Sequence, residues 1–145
     1  MNLENFAELF IWNMPDALVV SDDEGVIRLW NVSAERIFGF TAEEAMGQPL
    51  DIIVPERLRR RHGDGYRETM LTGETKYGAG DLLSVPALRK DGTTISIQFS
   101  ILPLSGPDGR MTGVAAVIRD VSDEFARVKK LQTALRESRG AARDG

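Results

Sequence analysis

The chain of 145 residues contains no cysteine. That removes disulfides, thiol nucleophiles, zinc–thiolate sites and iron–sulfur clusters together. A single histidine, His62, excludes an all-histidine metal site and a pair of histidine acid–base catalysts. Aromatic residues make up only 7%, and basic residues (18) are outnumbered by acidic ones (22), for a net charge of −4. A surface of that sign does not suit a nucleic-acid binder. No apolar run approaches the roughly 18 residues of a membrane span. The first fifteen residues carry Glu4 and Glu8 and lack the basic start and small-residue cleavage site of a secretion signal. The expectation is a cytoplasmic protein bound to neither nucleic acid nor membrane.

What is present is a globular composition, 42% hydrophobic and 28% charged, of one-domain length. The charge is uneven. Residues 121–145 hold six basic and four acidic side chains, so the tail is positive and the body more acidic than the whole.

Leu3, Phe6, Leu9 and Phe10 recur at helical spacing and predict an amphipathic helix ending before Pro15. Asp16–Ser21 and Val26–Trp30 are β-branched runs joined by the acidic, glycine-closed turn Asp22–Gly25, which predicts a hairpin. A block of short helices follows. Ser33 is expected to cap Ala34–Gly39, Thr41 and Glu44 form a capping box, and Gly39 and Gly47 supply left-handed C-termini. Pro55 opens a helical pattern over Glu56–Leu71, weakened by Gly63 and Gly65 at about 1 kcal/mol each.

From Asp81 the period changes to two. Ile95, Ile97, Phe99 and Ile101 alternate with small polar residues, and Gly113–Ile118 is nearly all apolar, as a central strand would be. Leu82–Leu88 contains Pro86 and belongs at a sheet edge. Strand runs on either side of a helical block predict an α+β fold, with an antiparallel sheet and helices on one face.

The stretches Met14–Asp22, Trp30–Phe40, Gly47-Gln-Pro-Leu50, Arg89-Lys-Asp-Gly92 and Ile118-Arg-Asp-Val-Ser122 together resemble the PAS sensory domains of bacterial kinases, cyclases and transcription regulators. The resemblance covers residues 10–122. It implies a five-stranded antiparallel sheet cupping a ligand pocket, and signalling through flanking helices. The expected layout is a cap helix over residues 1–13, a sensory domain over 14–122, and a signalling helix with a frayed end over 123–145. Such a module relays ligand or cofactor binding to a downstream protein, in transcription regulation or a two-component pathway, and is not an enzyme. In the family the aspartate corresponding to Asp120 anchors the junction with the tail. An ordinary helix cap is the alternative for that residue. Asn31 is expected to start the turn into the helices.

The tail presents Val121, Val128 and Leu135 seven apart, with Leu131 between them. This is a coiled-coil seam of about two heptads, short of the usual three or four. A homodimer through the terminal helices is expected, with a helix folded back on its own sheet as the alternative.

Photosensory PAS chemistry that needs a cysteine, in cysteinyl-flavin and coumaroyl domains, is excluded. Pro55–Tyr66 resembles the helix carrying the proximal histidine of haem-binding oxygen-sensor PAS domains, which marks His62 as a ligand of haem b iron. Arg59, Arg60, Arg61 and Arg67 would face propionates. Apolar wall candidates are Ile52, Ile53, Leu58, Met70, Leu83, Ile97 and Phe99. Tyr66, one turn from His62, would orient a ligand or cover the pocket, and Met70 and Tyr77 are further candidates. The segment after His62 is one residue longer than in the haem sensors, and Leu83 stands where they place a distal arginine. Three functions are therefore carried forward: a small-ligand sensor, a haem gas or redox protein, and a cofactor-free dimerisation module.

Overall fold

The computed structural model describes residues 1–75, 78 and 80–144, with side chains through residue 141. The chain runs α1 (Leu3–Asn13), β1 (Ala17–Asp22), β2 (Ile27–Trp30), α2 (Val32–Phe38), α3 (Ala42–Ala45), two 3₁₀ turns (Leu50–Ile53 and Glu56–Leu58), α4 (Arg59–Thr72), β3 (Leu83–Leu88), β4 (Thr94–Ser105), β5 (Met111–Asp120) and α5 (Ser122–Asp144). The sheet is antiparallel throughout, in the order β2-β1-β5-β4-β3. β3, with Pro86, is an edge strand, and β5 is central.

Alternation along the strands fixes one covered face. Ala17 and Val19 of β1, Ile118 of β5, Ile97 of β4 and Ala87 of β3 point inward, against Trp30, Ile37 and Phe38 from β2 and α2. Trp30 is wholly buried, its ring 5.4 Å from that of Phe38, and its indole N–H donates to the Phe40 carbonyl (2.9 Å). Gly113 lies where β5 crosses closest to β1. A Cβ there would stand 2.0 Å from the Ser21 carbonyl oxygen, so no larger residue fits without parting the strands.

Two local expectations are corrected. α2 is capped by Asn31, not Ser33: the Asn31 Oδ1 accepts from the Ala34 N–H (3.0 Å), while the Ser33 hydroxyl donates to the Met14 carbonyl (2.6 Å). The helix starts at Val32, so Asn31 holds the cap position, three residues before the Ala34 N–H, and Ser33 already lies inside the first turn. α4 passes through Gly63 and Gly65 without a break and ends at Gly73, whose φ of 73° makes it the left-handed stop. The Thr41–Glu44 capping box forms as expected.

Among the described residues neither flanking helix has a fully buried side chain, and along α1 only Ile11 is half-covered. Leu3, Phe6, Leu9 and Phe10 of α1 are all exposed, and so are Phe125, Val128, Leu131 (63%) and Leu135 of α5. A tail helix folded back on its own sheet is not what forms. Val121 precedes α5 instead of opening its seam. The outer face of the sheet is also apolar in part, with Leu102 at 60% exposure and Val117 beside it.

Candidate functional site

The inner face changes character along the sheet. Near β1 and β2 it is closed by α2 and α3. Toward β3 and β4 the inward positions Leu83, Phe99 and Ile101 are only half-buried, and Val85 is 39% exposed. Pairing sets them side by side, with Leu83 opposite Phe99 and Val85 opposite Ile97. This is an apolar strip that the chain's own side chains leave partly open.

The expected wall residues divide accordingly. Ile53 and Ile97 are buried in the core, with Ile52 and Phe99 packed against it. Leu58, Met70 and Leu83 are half-buried. Tyr77 lies outside the described residues.

α4 is tied to the sheet by Tyr66. Its hydroxyl donates to the Asp22 carbonyl and pairs with the Ser21 hydroxyl (2.9 Å). Burial, opposed by the Ser21 bond and reinforced by the charges of Asp22 and Asp23, pushes the phenol pKa up, so the group remains a donor. Among the described residues these are the only hydrogen bonds from α4 to the sheet. The Tyr66 ring also covers Gly25 in the β1–β2 turn. Asp22 secures that turn, accepting from the Glu24 and Val26 N–H groups (2.9 and 3.0 Å) and from Arg28 (2.8 Å). Ser21 was missed in the sequence, although a serine continuing the inward series Ala17, Val19 is a visible signal.

His62 lies on α4 with its ring 6.2 Å from that of Tyr66, and more than a third of the residue is exposed. Crowding on its covered side lowers the imidazole pKa, with the Asp51 charge opposing. The open side keeps that effect limited. A neutral imidazole on an exposed part of α4 is the donor type that a haem iron takes. Arg67 is exposed and ion-paired to Asp64, and Arg59 donates to the Val54 carbonyl (3.0 Å), which leaves exposed Arg60 and Arg61 to meet carboxylates. Among the described residues no cluster of three or more His, Asp or Glu is placed to hold a metal ion.

The exit to α5 is built from hydrogen bonds. The Val121 N–H donates to the Ser96 carbonyl (2.9 Å), the Ser96 N–H to the Ser122 hydroxyl (3.0 Å), and the Ser122 N–H to the Asp120 carboxylate (2.9 Å). Asp120 is thus a helix-entry cap and part of the junction at once. Asn31, fully buried, does the same for α1. Its Oδ1 accepts from the Leu18 and Ala34 N–H groups (3.0 Å each), and its amide donates to the carbonyls of Ile11 (3.0 Å) and Asp16 (3.2 Å).

Residues 5–121 match the family profile described as the PAS fold. The chain belongs to the PAS family. This PAS domain is 34% identical over 133 residues to the sensor protein FixL of Bradyrhizobium diazoefficiens, covering 91% of this chain and 26% of that one. It is 28% identical to the oxygen sensor protein DosP of Escherichia coli over 79% of its own length and 14% of the relative's. The domain therefore spans about a quarter or less of these longer relatives. Among solved structures, a PAS domain from Colwellia psychrerythraea superposes with a TM-score of 0.67 at 24% identity, covering 83% of this chain and 98% of that one. An RNA-binding light-oxygen-voltage receptor gives 0.70 at 18% identity, over 96% and 39%. The α+β fold and the sensory class follow from these matches. No helix among the described residues is long and apolar enough to cross a membrane.

Proposed function

We propose that this PAS domain, residues 14–122, senses a small apolar ligand held against the β3–β4 end of the inner face, and that residues 1–13 and 123–145 carry the response. The observation behind this is the half-open strip Leu83, Val85, Phe99 and Ile101 on a sheet to which, among the described residues, α4 is hydrogen-bonded through Tyr66 alone. A ligand that fills the strip better in one position of α4 than in another shifts the population between them. Ile97, beside the strip on β4, directly follows Ser96, which holds Val121 and Ser122. A displacement of β4 therefore reaches the start of α5 through two hydrogen bonds.

The output is a change in how two copies meet. α1 bears Glu4 and Glu8 and no basic residue, whereas α5 has a basic excess, with Arg127, Lys129, Lys130, Arg136 and Arg139 outnumbering Asp123, Glu124 and Glu137, and both helices keep exposed apolar residues. Opposite charge around apolar surface favours pairing between copies and with a downstream signalling protein.

A second reading rests on His62. Haem would take this imidazole as axial ligand and Arg60 or Arg61 as carboxylate partners, and would supply gas binding or one-electron chemistry. Leu83 has no N–H or O–H with which to donate a hydrogen bond to a bound gas.

The deciding experiment is a haemin titration followed by absorption, with native mass spectrometry on the same purified chain. A Soret band lost in His62→Ala establishes haem. An uncoloured added mass that Val85→Trp expels establishes the apolar ligand. A spectrum that stays that of free haemin, together with the bare chain mass, overturns both and leaves a dimerisation module.

A further inference from the structure

A second site lies away from the inner face, where the two helix exits meet. Pro15 and Asp16 from the α1–β1 junction, Arg36 and Ile37 from α2, Arg89 after β3, and Arg119 and Asp120 at the end of β5 line a cleft of about 350 Å³. Three guanidinium groups face two carboxylates there. Arg119 is occupied by Asp16, through Nε to one oxygen (3.2 Å) and Nη2 to the other (3.3 Å). Arg36 donates to the Pro15 carbonyl (3.0 Å). Asp120 accepts from the Ser122 N–H. Arg89 is different. Among the described residues no hydrogen bond or ion pair to its side chain forms, the Asp91 carboxylate acting on it only as a nearby charge, and its Nε is buried without any acceptor although the residue as a whole is half-buried.

A buried N–H of a charged side chain left without an acceptor is costly, so among the three arginines lining the cleft Arg89 is the one with a buried N–H and no acceptor among the described residues. The cleft is far larger than one water needs. A guanidinium edge presents parallel N–H groups that match two oxygens of a carboxylate or phosphate. We propose that this cleft binds a small oxyanion on Arg89, independently of whatever fills the inner face. Bound there, the anion adds negative charge beside the Asp16–Arg119 pair and so changes the link between the α1 exit and the α5 exit. The consequence is a second input acting at the junctions themselves.

The test is NMR of the full chain, following the Arg89 Nε–H resonance during titration with inorganic phosphate and, separately, succinate. Sodium chloride at matched ionic strength is the control, since screening alone shifts exposed charges. A saturable shift with phosphate assigns a phosphate site, and one with succinate a carboxylate site. In Arg89→Gln the shifts of neighbouring Asp120 and Arg119 amides should need at least about tenfold more ligand, as loss of a charge-assisted bidentate contact implies. If neither anion moves the Nε–H signal beyond the chloride control, the proposal fails, and water fills the cleft. Equal neighbour shifts in Arg89→Gln also overturn it. Should that variant not fold, the wild-type Nε–H titration decides alone.

Discussion

Replacing Asn31 by alanine removes a side chain that serves three elements at once. Four backbone groups lose their partner: the N–H groups of Leu18 and Ala34, and the carbonyls of Ile11 and Asp16. A lost N-cap costs about 0.5–2 kcal/mol. A buried polar group left unsatisfied costs about 1–3 kcal/mol. The Ala34 donor is buried and the Leu18 donor sits within β1, while the Ile11 carbonyl, near the end of the exposed helix α1, is near enough to the surface for water to replace the amide. Counting the cap and the Leu18 donor in full and the carbonyls in small part gives about 3–5 kcal/mol. That is a large share of the roughly 5–15 kcal/mol a domain possesses, and corresponds to a fall in Tm of about 10–20 °C. Chemical denaturation followed by far-UV circular dichroism and by the fluorescence of Trp30, the adjacent buried residue, would measure it. Asn31→Asp separates the parts. It retains both acceptor bonds but turns a carboxylate oxygen toward two carbonyls. Its folded pKa is raised, so its penalty is present above that pKa and relieved on acidification, when one oxygen can donate. A loss below about 1 kcal/mol in Asn31→Ala, or an Asn31→Asp variant as stable as wild type at neutral pH, refutes the reasoning.

Four further outcomes are expected. Gly113→Ala drives a methyl into the Ser21 carbonyl and should cost about 3 kcal/mol or more, with lost amide protection in β1 and β5 under hydrogen exchange. Tyr66→Phe should destabilise by about 1–2 kcal/mol and speed amide exchange in α4 more than in α2; uniform exchange would show that the hydroxyl is not what holds α4. His62 should titrate below its usual 6.5 in a proton NMR experiment. Because its folded pKa is depressed, its contribution to stability is whole above 6.5 and is lost as pH falls toward the folded value, and His62→Gln should flatten that slope. Finally, Leu131→Asp with Leu135→Asp should leave a monomer in sedimentation if α5 pairs two copies, and an unchanged mass would exclude α5 from the interface.

Elements governed by local chemistry were legible in the sequence. The edge strand follows from Pro86, the hairpin from Asp22–Gly25, and the capping box from Thr41 and Glu44. Strand order was reachable only through the PAS resemblance, because pairing β1 with β5 depends on contacts about a hundred residues apart. Asn31 shows the limit most clearly. As a residue following a strand it reads as a turn former, and nothing in its neighbours reveals that its amide reaches Ile11 and Asp16. Asn31 and Ser33 are both residue types that suit a cap, and the helix start at Val32 decides between them. The candidate pocket was legible as a list of apolar residues but not as a shape. Ile53 and Ile97 belong to the packed core, while Leu83 and Phe99 border the opening, a distinction that depends on what lies across the sheet.

The two helix exits are more tightly joined than their separation in the chain implies. β1 and β5 are neighbours, with Ala17 opposite Ile118, so Asp16 and Arg119 lie just beyond the same end of one ladder and pair there. The exit to α1 is rooted in β1 through Asn31, and the exit to α5 in β4 through Ser96. Any motion that slides β5 against β1 must break the Asp16–Arg119 contact or carry α1 with it. Such an exposed pair contributes little to stability, and that suits it to a part that switches. The strong, buried links of Asn31 keep α1 in place, whereas the weaker, exposed ones at Arg119, Asp120 and Ser122 are free to rearrange. A signal arising on β4 is therefore expected to move α5 relative to a fixed α1, and not the reverse.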